Sequence, residues 1–250
     1  MIAWRKFISP IALLVIWEIA SRRGWVDARL VPPASAAFAD IWELISTGEI
    51  VTILWASLRR VLVGFAIAVA VGTSIGTLMA RVRVCEDIFD PIVELLRPVS
   101  PLAIFPLALL WFGIGDASKI FLIALSCSFP VILNTYAGVR SIDRQLILAS
   151  RSLGANPWEV LCRIVLPGSL PQIFTGIRIS WGIALIVIIA SEMVGAVAGL
   201  GYMILNAQQV FQVERVFSGI IIVGLLGFLT DLGFRRLRRH LLPWHQELRE

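Results

Sequence analysis

Residues 140–171 have the sequence RSIDRQLILASRSLGANPWEVLCRIVLPGSLP, a polar, helix-forming stretch between two strongly apolar runs. The first half predicts a helix near 143–153 that stops at Gly154, since glycine readily ends a helix. The pair Asn156–Pro157 is the favoured start of a second helix, which we expect to end before Pro167. Connections in compact domains usually have ~4–6 residues, so this longer one indicates a function of its own.

The rest of the chain is dominated by long apolar runs. Of its 250 residues, 58% are hydrophobic and only 16% are charged, whereas a soluble domain carries about 25% charged residues. A membrane-spanning helix needs about 20 apolar residues, and candidate spans lie at residues 7–20, 61–80, 88–112, 120–139, 173–194 and 216–234. We therefore predict an all-α, polytopic membrane protein with about six transmembrane helices. It forms a single domain over residues 1–250, with core spans at roughly 56–240 and the connecting loop at 141–167.

Three segments need a specific interpretation. The first span is short and carries Glu18, and no cleavage signal follows it, so we expect an uncleaved span. The third span is broken by prolines. Residues 32–50 are amphipathic, which favours a helix lying at the membrane interface. The prolines of the third span are Pro91, Pro98, Pro101 and Pro106, and the apolar face of the interfacial stretch is Phe38, Ile41, Trp42 and Ile45.

The distribution of lysine and arginine predicts the orientation. If the N-terminus is cytoplasmic, fourteen basic residues fall on the inner side, seven on the outer side and Arg178 within a span. Basic residues prefer cytoplasmic loops, so both termini are predicted to be cytoplasmic. The pair Arg59–Arg60 runs against this bias.

Small residues recur every four positions in two spans, at Gly64, Ala68, Gly72, Gly76 and Ala80, and at Gly176, Ser180 and Ala184. Such stripes allow helix backbones to approach closely within a bilayer. We interpret them as packing within one subunit; a seam between two copies is the alternative.

The polar side chains exclude several kinds of chemistry. The three cysteines lack metal-ligand spacing, and both histidines lie in the basic tail, so no metal or catalytic site is predicted. A glycine-rich phosphate loop is absent from the sequence, so no cofactor is expected and the energy source would be another chain or an ion gradient. The basic residues flank apolar runs, which argues for membrane topology and against nucleic-acid binding. Candidate residues of a translocation path are Ser128, Asn134, Arg178 and Glu192.

The candidate path residues have plainer interpretations. Arg178 could extend towards headgroups or pair two helices, instead of forming a gate. Glu192 could pair with a cation, shape an outer gate or sit at a solvated helix end. The Ser128 hydroxyl could bond back to its own helix.

The 141–167 loop resembles the EAA loop of bacterial ABC import permeases. That pattern is Glu-Ala-Ala, three residues, Gly, nine residues and Ile-x-Leu-Pro. The spacing matches throughout, although Leu148 replaces the family's Glu and Ser150 its second Ala. The residues at the motif positions, with Trp158 as an added apolar contact, predict an ATPase-coupling loop made of Ala149, Ser150, Gly154, Trp158, Ile164, Leu166 and Pro167.

The resemblance extends to the branch that imports taurine, alkanesulfonates, nitrate and related anions. It is carried by residues 89–98, 110–120, Thr175-Gly-Ile-Arg178, Gly199-Leu-Gly-Tyr202 and Leu242-Pro-Trp-His245. It implies a type I importer fold in the bacterial inner membrane, a homodimer of permeases, a cytoplasmic ATPase dimer and a periplasmic binding protein. The expected cargo is taurine or an alkanesulfonate; nitrate, bicarbonate or a pyrimidine-like precursor is the alternative.

Two other classes of protein fit less well. An ion-coupled transporter favours inverted repeats and paired intramembrane acids, which the sequence lacks. An intramembrane enzyme needs a nucleophile–base pair or metal ligands within the spans.

Overall fold

The computed structural model describes residues 5–241, and its regular structure there is helical. The motif Leu242-Pro-Trp-His245 and both chain ends lie outside this range. The helices are α1 Arg5–Arg22, α2 Ala34–Ser46, α3 Glu49–Arg81, α4 Arg83–Leu96, α5 Pro101–Phe112, α6 Asp116–Arg140, α7 Arg144–Ser152, α8 Pro157–Val160, α9 Leu166–Gly195, α10 Leu200–Gln209 and α11 Val213–Leu241, with a π-helical turn at Leu161–Val165.

The apolar helices confirm a polytopic all-α membrane fold. Within residues 5–241, four helices are long and apolar enough to span a bilayer: α3, α6, the continuous helix Pro157–Gly195, and α11. The bent pair α4 and α5 makes a fifth if it is counted as one broken span. Helix α1 covers the predicted first span but carries Glu18 and a terminal Arg22, so its crossing of the membrane stays a prediction.

The predicted break in the third span lies between α4 and α5, whose axes differ by 104°. Pro101 occupies the first turn of α5, where its missing N–H costs no intrahelical bond. Pro91 and Pro106 lie inside α4 and α5 without ending them. Only Pro98 and Pro101 therefore lie at the sharp bend.

The described chain forms two compact units. One comprises residues 5–58 and 192–226, and the other residues 59–191 and 227–241. A single domain over the whole chain stays a prediction.

Helix α6 is the centre of the second unit, because two other helices approach its backbone. On α3, a Cβ at Gly64, Gly72 or Gly76 would lie 2.8, 2.7 or 2.6 Å from the nearest atom of α6. On α9, Ser180 Oγ donates to the carbonyl oxygen of Cys127 at 2.7 Å. The small-residue stripe of α3 and that of α9 thus both pack against α6 within one chain, as predicted.

In the first unit, α1 is tied to the start of α2. Trp17 Nε1 donates to the carbonyl of Pro32 at 2.9 Å, and Glu18 accepts from the backbone N–H of Ser35 at 3.0 Å. Helix α2 buries one small-residue face, while Phe38 and Trp42 stay exposed on another. This arrangement agrees with an amphipathic helix at the interface.

Candidate functional site

The coupling segment, residues 141–167, begins with a capped helix. The Asp143 side chain accepts a hydrogen bond from the backbone N–H of Gln145 at 2.8 Å, which starts α7. Helix α7 ends at Ser152, and Gly154 follows with φ +90°. This left-handed conformation is open to glycine at little cost, and it confirms the predicted turn.

The second helix of the segment starts with a full capping box. Asn156 Oδ1 accepts from the N–H groups of Trp158 at 3.0 Å and Glu159 at 2.9 Å. In return, Glu159 Oε2 accepts from the Asn156 N–H at 3.0 Å. The predicted cap is confirmed. The contribution of Glu159 was missed, although the spacing Asn-x-x-Glu is its signal.

The inner face of the segment is fixed to the membrane helices. Val139 of α6, Val160 and Val165 form a buried cluster, with Ala80 of α3 packed against it. Val160 is only 1% exposed, so it belongs to this buried base and not to the outer surface of the segment. Because α7 and α8 rest on this cluster, the segment is anchored to the ends of α3 and α6.

The outer face of the segment is apolar and exposed. Leu153 is 88% exposed and Trp158 is 69% exposed, and both lie beside the Gly154 turn. The other predicted coupling residues are exposed at Ala149 and half-buried at Ser150, Ile164, Leu166 and Pro167. A rigid base beneath a protruding indole is a geometry suited to docking.

The second helix does not end before Pro167, contrary to the sequence interpretation. Helix α8 continues through the π turn Leu161–Val165 into α9, giving one candidate span from Pro157 to Gly195. A proline removes one N–H donor and crowds the carbonyl four residues earlier. A π turn directly before Pro167 is a known way for a helix to absorb such a defect. The coupling segment is therefore joined to α9 without a break.

Two of the candidate path residues lie on α6 and differ in environment. Ser128 is buried, and its Oγ donates to the carbonyl of Leu125 at 2.8 Å, so it bonds back to its own helix. Asn134 is half-buried and lines a cavity of about 400 Å³ within the second unit. Asn134 is therefore the one of the two that faces open space.

Arg178 pairs two spans. Its Nε lies 2.7 Å and its Nη2 2.6 Å from Oδ1 of Asp231 on α11. Oδ2 of Asp231 accepts in turn from Arg235 Nε at 2.8 Å. Of the interpretations given for Arg178, the structure shows the one in which it pairs two helices, here α9 and α11. Asp231 was missed by sequence reasoning, yet a charged residue inside a predicted span was the signal.

Glu192 is fully buried, so the interpretation as a solvated helix end is wrong. Its carboxylate accepts from Ser57 Oγ at 2.8 and 2.9 Å and from the Gly201 N–H at 3.0 Å. Ser57 Oγ also accepts from the Leu200 N–H at 2.9 Å. Together these groups satisfy N–H donors at the start of α10, where the positive end of the helix dipole also favours a carboxylate.

The Gly199-Leu-Gly-Tyr202 motif has a physical explanation at this position. Gly199 has φ +127°, and a Cβ there would lie 2.4 Å from the Glu192 carboxylate. Only glycine fits without strain, because both the backbone conformation and the space exclude a side chain.

The pair Arg59–Arg60, which opposed the predicted orientation, is matched by an acid. Both guanidinium groups contact the carboxylate of Asp116 at the start of α6, with Arg60 Nε 2.6 Å from Oδ1. This partner offsets part of the positive charge at that end of the helices, but the topology rule counts lysine and arginine alone, so the conflict with the predicted orientation stays.

These features define a multi-pass membrane transport component: glycine-packed spans, a bent helix pair and an anchored two-helix segment joined to a span. The chain belongs to the family of binding-protein-dependent transport system inner membrane components, whose family model matches residues 68–243. It is thus a multi-pass permease of the inner membrane.

Individual relatives cover almost the whole chain. It is 38% identical over 242 residues to a Bacillus subtilis (strain 168) protein named for transport of aliphatic sulfonates, covering 96% of this chain and 88% of the other. It is 37% identical to the taurine transport system permease protein of Escherichia coli (strain K12), covering 94% and 88%. A chain of the inward-facing MetNI methionine ABC transporter has the same fold, with a TM-score of 0.68 and 19% identity over 77% of this chain and 95% of that one.

Proposed function

We propose that this chain forms the membrane passage of an ATP-driven importer for small sulfonates such as taurine. The transported solute would move from the periplasm to the cytoplasm. ATP hydrolysis would take place in a separate ATPase subunit, and no cofactor would be bound by this chain.

The coupling segment is the observation that carries the proposal. Its base is fixed by Val160, Val165 and Val139, while Leu153 and Trp158 protrude. A protruding aromatic on a rigid base is the usual form of an interface anchor. Such a segment, continuous with α9, is suited to transmit movement of a partner to a span.

The choice of cargo rests on the two relatives named for taurine and aliphatic sulfonates. Similarity to them extends over more than nine-tenths of this chain. A sulfonate presents three acceptor oxygens and one negative charge, so a path for it needs donors but not a tight cage.

The assembly would contain two copies of this chain, two ATPase subunits and a periplasmic binding protein, with the termini of the permease in the cytoplasm. The helix directions fit spans that cross the membrane in alternation, and the side on which the termini lie is inferred from the lysine and arginine bias. Helix α6 runs parallel to α3, as shown by contacts of Gly64 with Ile123 and of Gly76 with Thr135. Helix α9 runs antiparallel to α6, as shown by Gly176 beside Asn134 and Ser180 beside Cys127.

The test is reconstitution of the full importer in liposomes with labelled taurine. Uptake should require the binding protein and ATP, and should persist when sodium and proton gradients are collapsed. An ATPase subunit unable to hydrolyse ATP is the matched control. Uptake that follows an ion gradient without ATP would show the protein to be a secondary transporter.

A further inference from the structure

The described chain contains a cavity lined in part by residues of the bend between α4 and α5. It has a volume of about 400 Å³ and lies wholly within the second unit. Its walls come from the bend, from residues 125–134 of α6 and from Ile179 and Ile183 of α9. Those segments are the central turns of two candidate spans, so the cavity lies at the depth of the middle of the membrane.

One cation lines this otherwise apolar space. Arg97 follows the last residue of α4 and contributes to the cavity wall. Within residues 5–241, its guanidinium makes no ion pair or hydrogen bond with another side chain. Arg178, by contrast, is held by Asp231. Arg97 is exposed, so its guanidinium can reach water or an anion at the cavity wall.

Two neutral polar groups share the cavity with Arg97. Asn134 Nδ2 donates to the carbonyl of Pro130 at 2.8 Å, which leaves its second N–H free to donate. Ser126 Oγ donates to the carbonyl of Leu122 at 2.7 Å and can still accept. No carboxylate is among the residues that line the cavity. The set of side chains therefore suits a sulfonate anion, and Ser126 Oγ offers a neutral acceptor to the ammonium group of a zwitterion such as taurine.

We propose that Arg97 and Asn134 form a low-affinity subsite for the sulfonate headgroup of the cargo, an assignment that rests on the proposed function. The guanidinium fork and the free amide N–H bind sulfonate oxygens, and the carbon chain lies against Phe129 and Ile179. A cavity of this size admits a small solute with water. One cation and one amide hold the anion weakly, which permits release.

The first experiment measures the charge of the cavity without relying on transport. Ser126→Cys is introduced in the full chain with Cys85, Cys127 and Cys162 replaced by serine. The reaction rates of sulfonatoethyl and trimethylammonioethyl methanethiosulfonate are compared in permeabilised membranes. The ratio of the anionic to the cationic rate should fall by ~5- to 10-fold when Arg97→Gln is added, because one nearby charge is lost.

A matched control is Ala137→Cys, which lies exposed on the same helix outside the cavity wall. Its rate ratio should not change with Arg97→Gln. The proposal is overturned if Arg97→Gln leaves the rate ratio of the Ser126→Cys variant unchanged. It is also overturned if Arg97→Gln changes the rate ratio equally in both cysteine variants.

The second experiment uses the reconstituted importer. Arg97→Gln should lower taurine uptake roughly tenfold while ATP hydrolysis stimulated by the binding protein is retained, and Arg97→Lys should recover part of the uptake. Arg23→Gln, which changes an exposed arginine directly after α1, is the control. Uptake unchanged in Arg97→Gln overturns the subsite. Failure of the unmodified importer to take up any sulfonate overturns the proposed function instead, and the cysteine reaction rates distinguish the two cases.

Discussion

Arg178 and Asp231 join α9 to α11 through two contacts to one carboxylate oxygen, at 2.7 and 2.6 Å. The second oxygen of Asp231 binds Arg235 on the next turn of α11, at 2.8 Å. Asp231 is thus shared between an interhelical and an intrahelical partner. Because both side chains are partly exposed, the pair is expected to set helix position more than to dominate stability.

Asp231→Asn should destabilise the permease by about 1–3 kcal/mol, since it leaves Arg178 without its anion inside a span. The double variant Arg178→Gln/Asp231→Asn should regain part of the loss. Thermal unfolding in detergent measures both, and Arg235→Gln, which removes the more exposed partner of Asp231, should have a smaller effect. Additive losses in the double variant would contradict coupling between the two residues.

Gly72→Ala should separate α3 from α6. A Cβ at Gly72 would lie 2.7 Å from Val131 Cβ, and 3.0 Å from the carbonyl of Ser128, neither of which is the flexible end of a side chain. Overpacking of this kind costs about 1–3 kcal/mol. The yield of monodisperse permease and its melting temperature report the loss. Gly182→Ala is the control, because a Cβ at Gly182 meets nothing within 4 Å; equal losses in both variants would show that the α3–α6 approach is not responsible.

Local sequence signals predicted much of the fold. The small-residue stripe from Gly64 predicted close packing because a period of four places residues on one helix face. Asn156–Pro157 predicted the start of α8 because capping depends on adjacent residues. Such features act within a few positions along the chain, so they are visible without knowledge of the tertiary structure.

Features that depend on distant or competing contacts were not predictable in the same way. Asp231 lies 53 residues from Arg178, and nothing local links them. Pro167 was interpreted as a helix end, but a π turn lets the helix continue. Arg97 lies within the predicted third span at 88–112, and only the bend at the end of α4 shows that it reaches a cavity.

Gly199→Ala should destabilise the start of α10. The new methyl group would meet the Glu192 carboxylate at 2.4 Å and force a residue with a side chain to φ +127°. A strained backbone of this kind costs about 1–3 kcal/mol before the clash is counted. Hydrogen exchange of the Leu200 and Gly201 amides should accelerate, because their bonds to Ser57 and Glu192 weaken. Unchanged exchange at both amides would contradict this account of the motif.

Trp158→Ala should weaken the binding of the ATPase without unfolding the permease. Trp158 is 69% exposed, so its removal leaves no internal cavity. Loss of a central aromatic anchor typically costs at least 2 kcal/mol, or roughly 30-fold in affinity. Co-purification and titration of the ATPase measure the change. Trp42→Ala is the matched control, since Trp42 is 71% exposed on α2. If Trp158→Ala left the affinity for the ATPase unchanged, the coupling segment would not be part of the interface with the ATPase.

The unbroken connection between α8 and α9 predicts how ATPase closure reaches the membrane. Because the π turn links Trp158 to α9 without a flexible loop, movement of the coupling segment should turn α9 as a unit. Cysteines at the exposed positions Ile179 and Ile186 of α9 can report this as cross-links between two copies of the chain, on a background without native cysteines.

The position to follow is the one that cross-links in the absence of nucleotide. Its cross-linking yield should change when a non-hydrolysable nucleotide holds the ATPases closed. Adding Trp158→Ala should abolish that change, because closure would no longer be transmitted to α9, while the yield without nucleotide stays the same. A nucleotide response that survives Trp158→Ala would mean that another contact moves the span. A yield identical in all nucleotide states, at a position that does cross-link, would refute rotation of α9 against its copy.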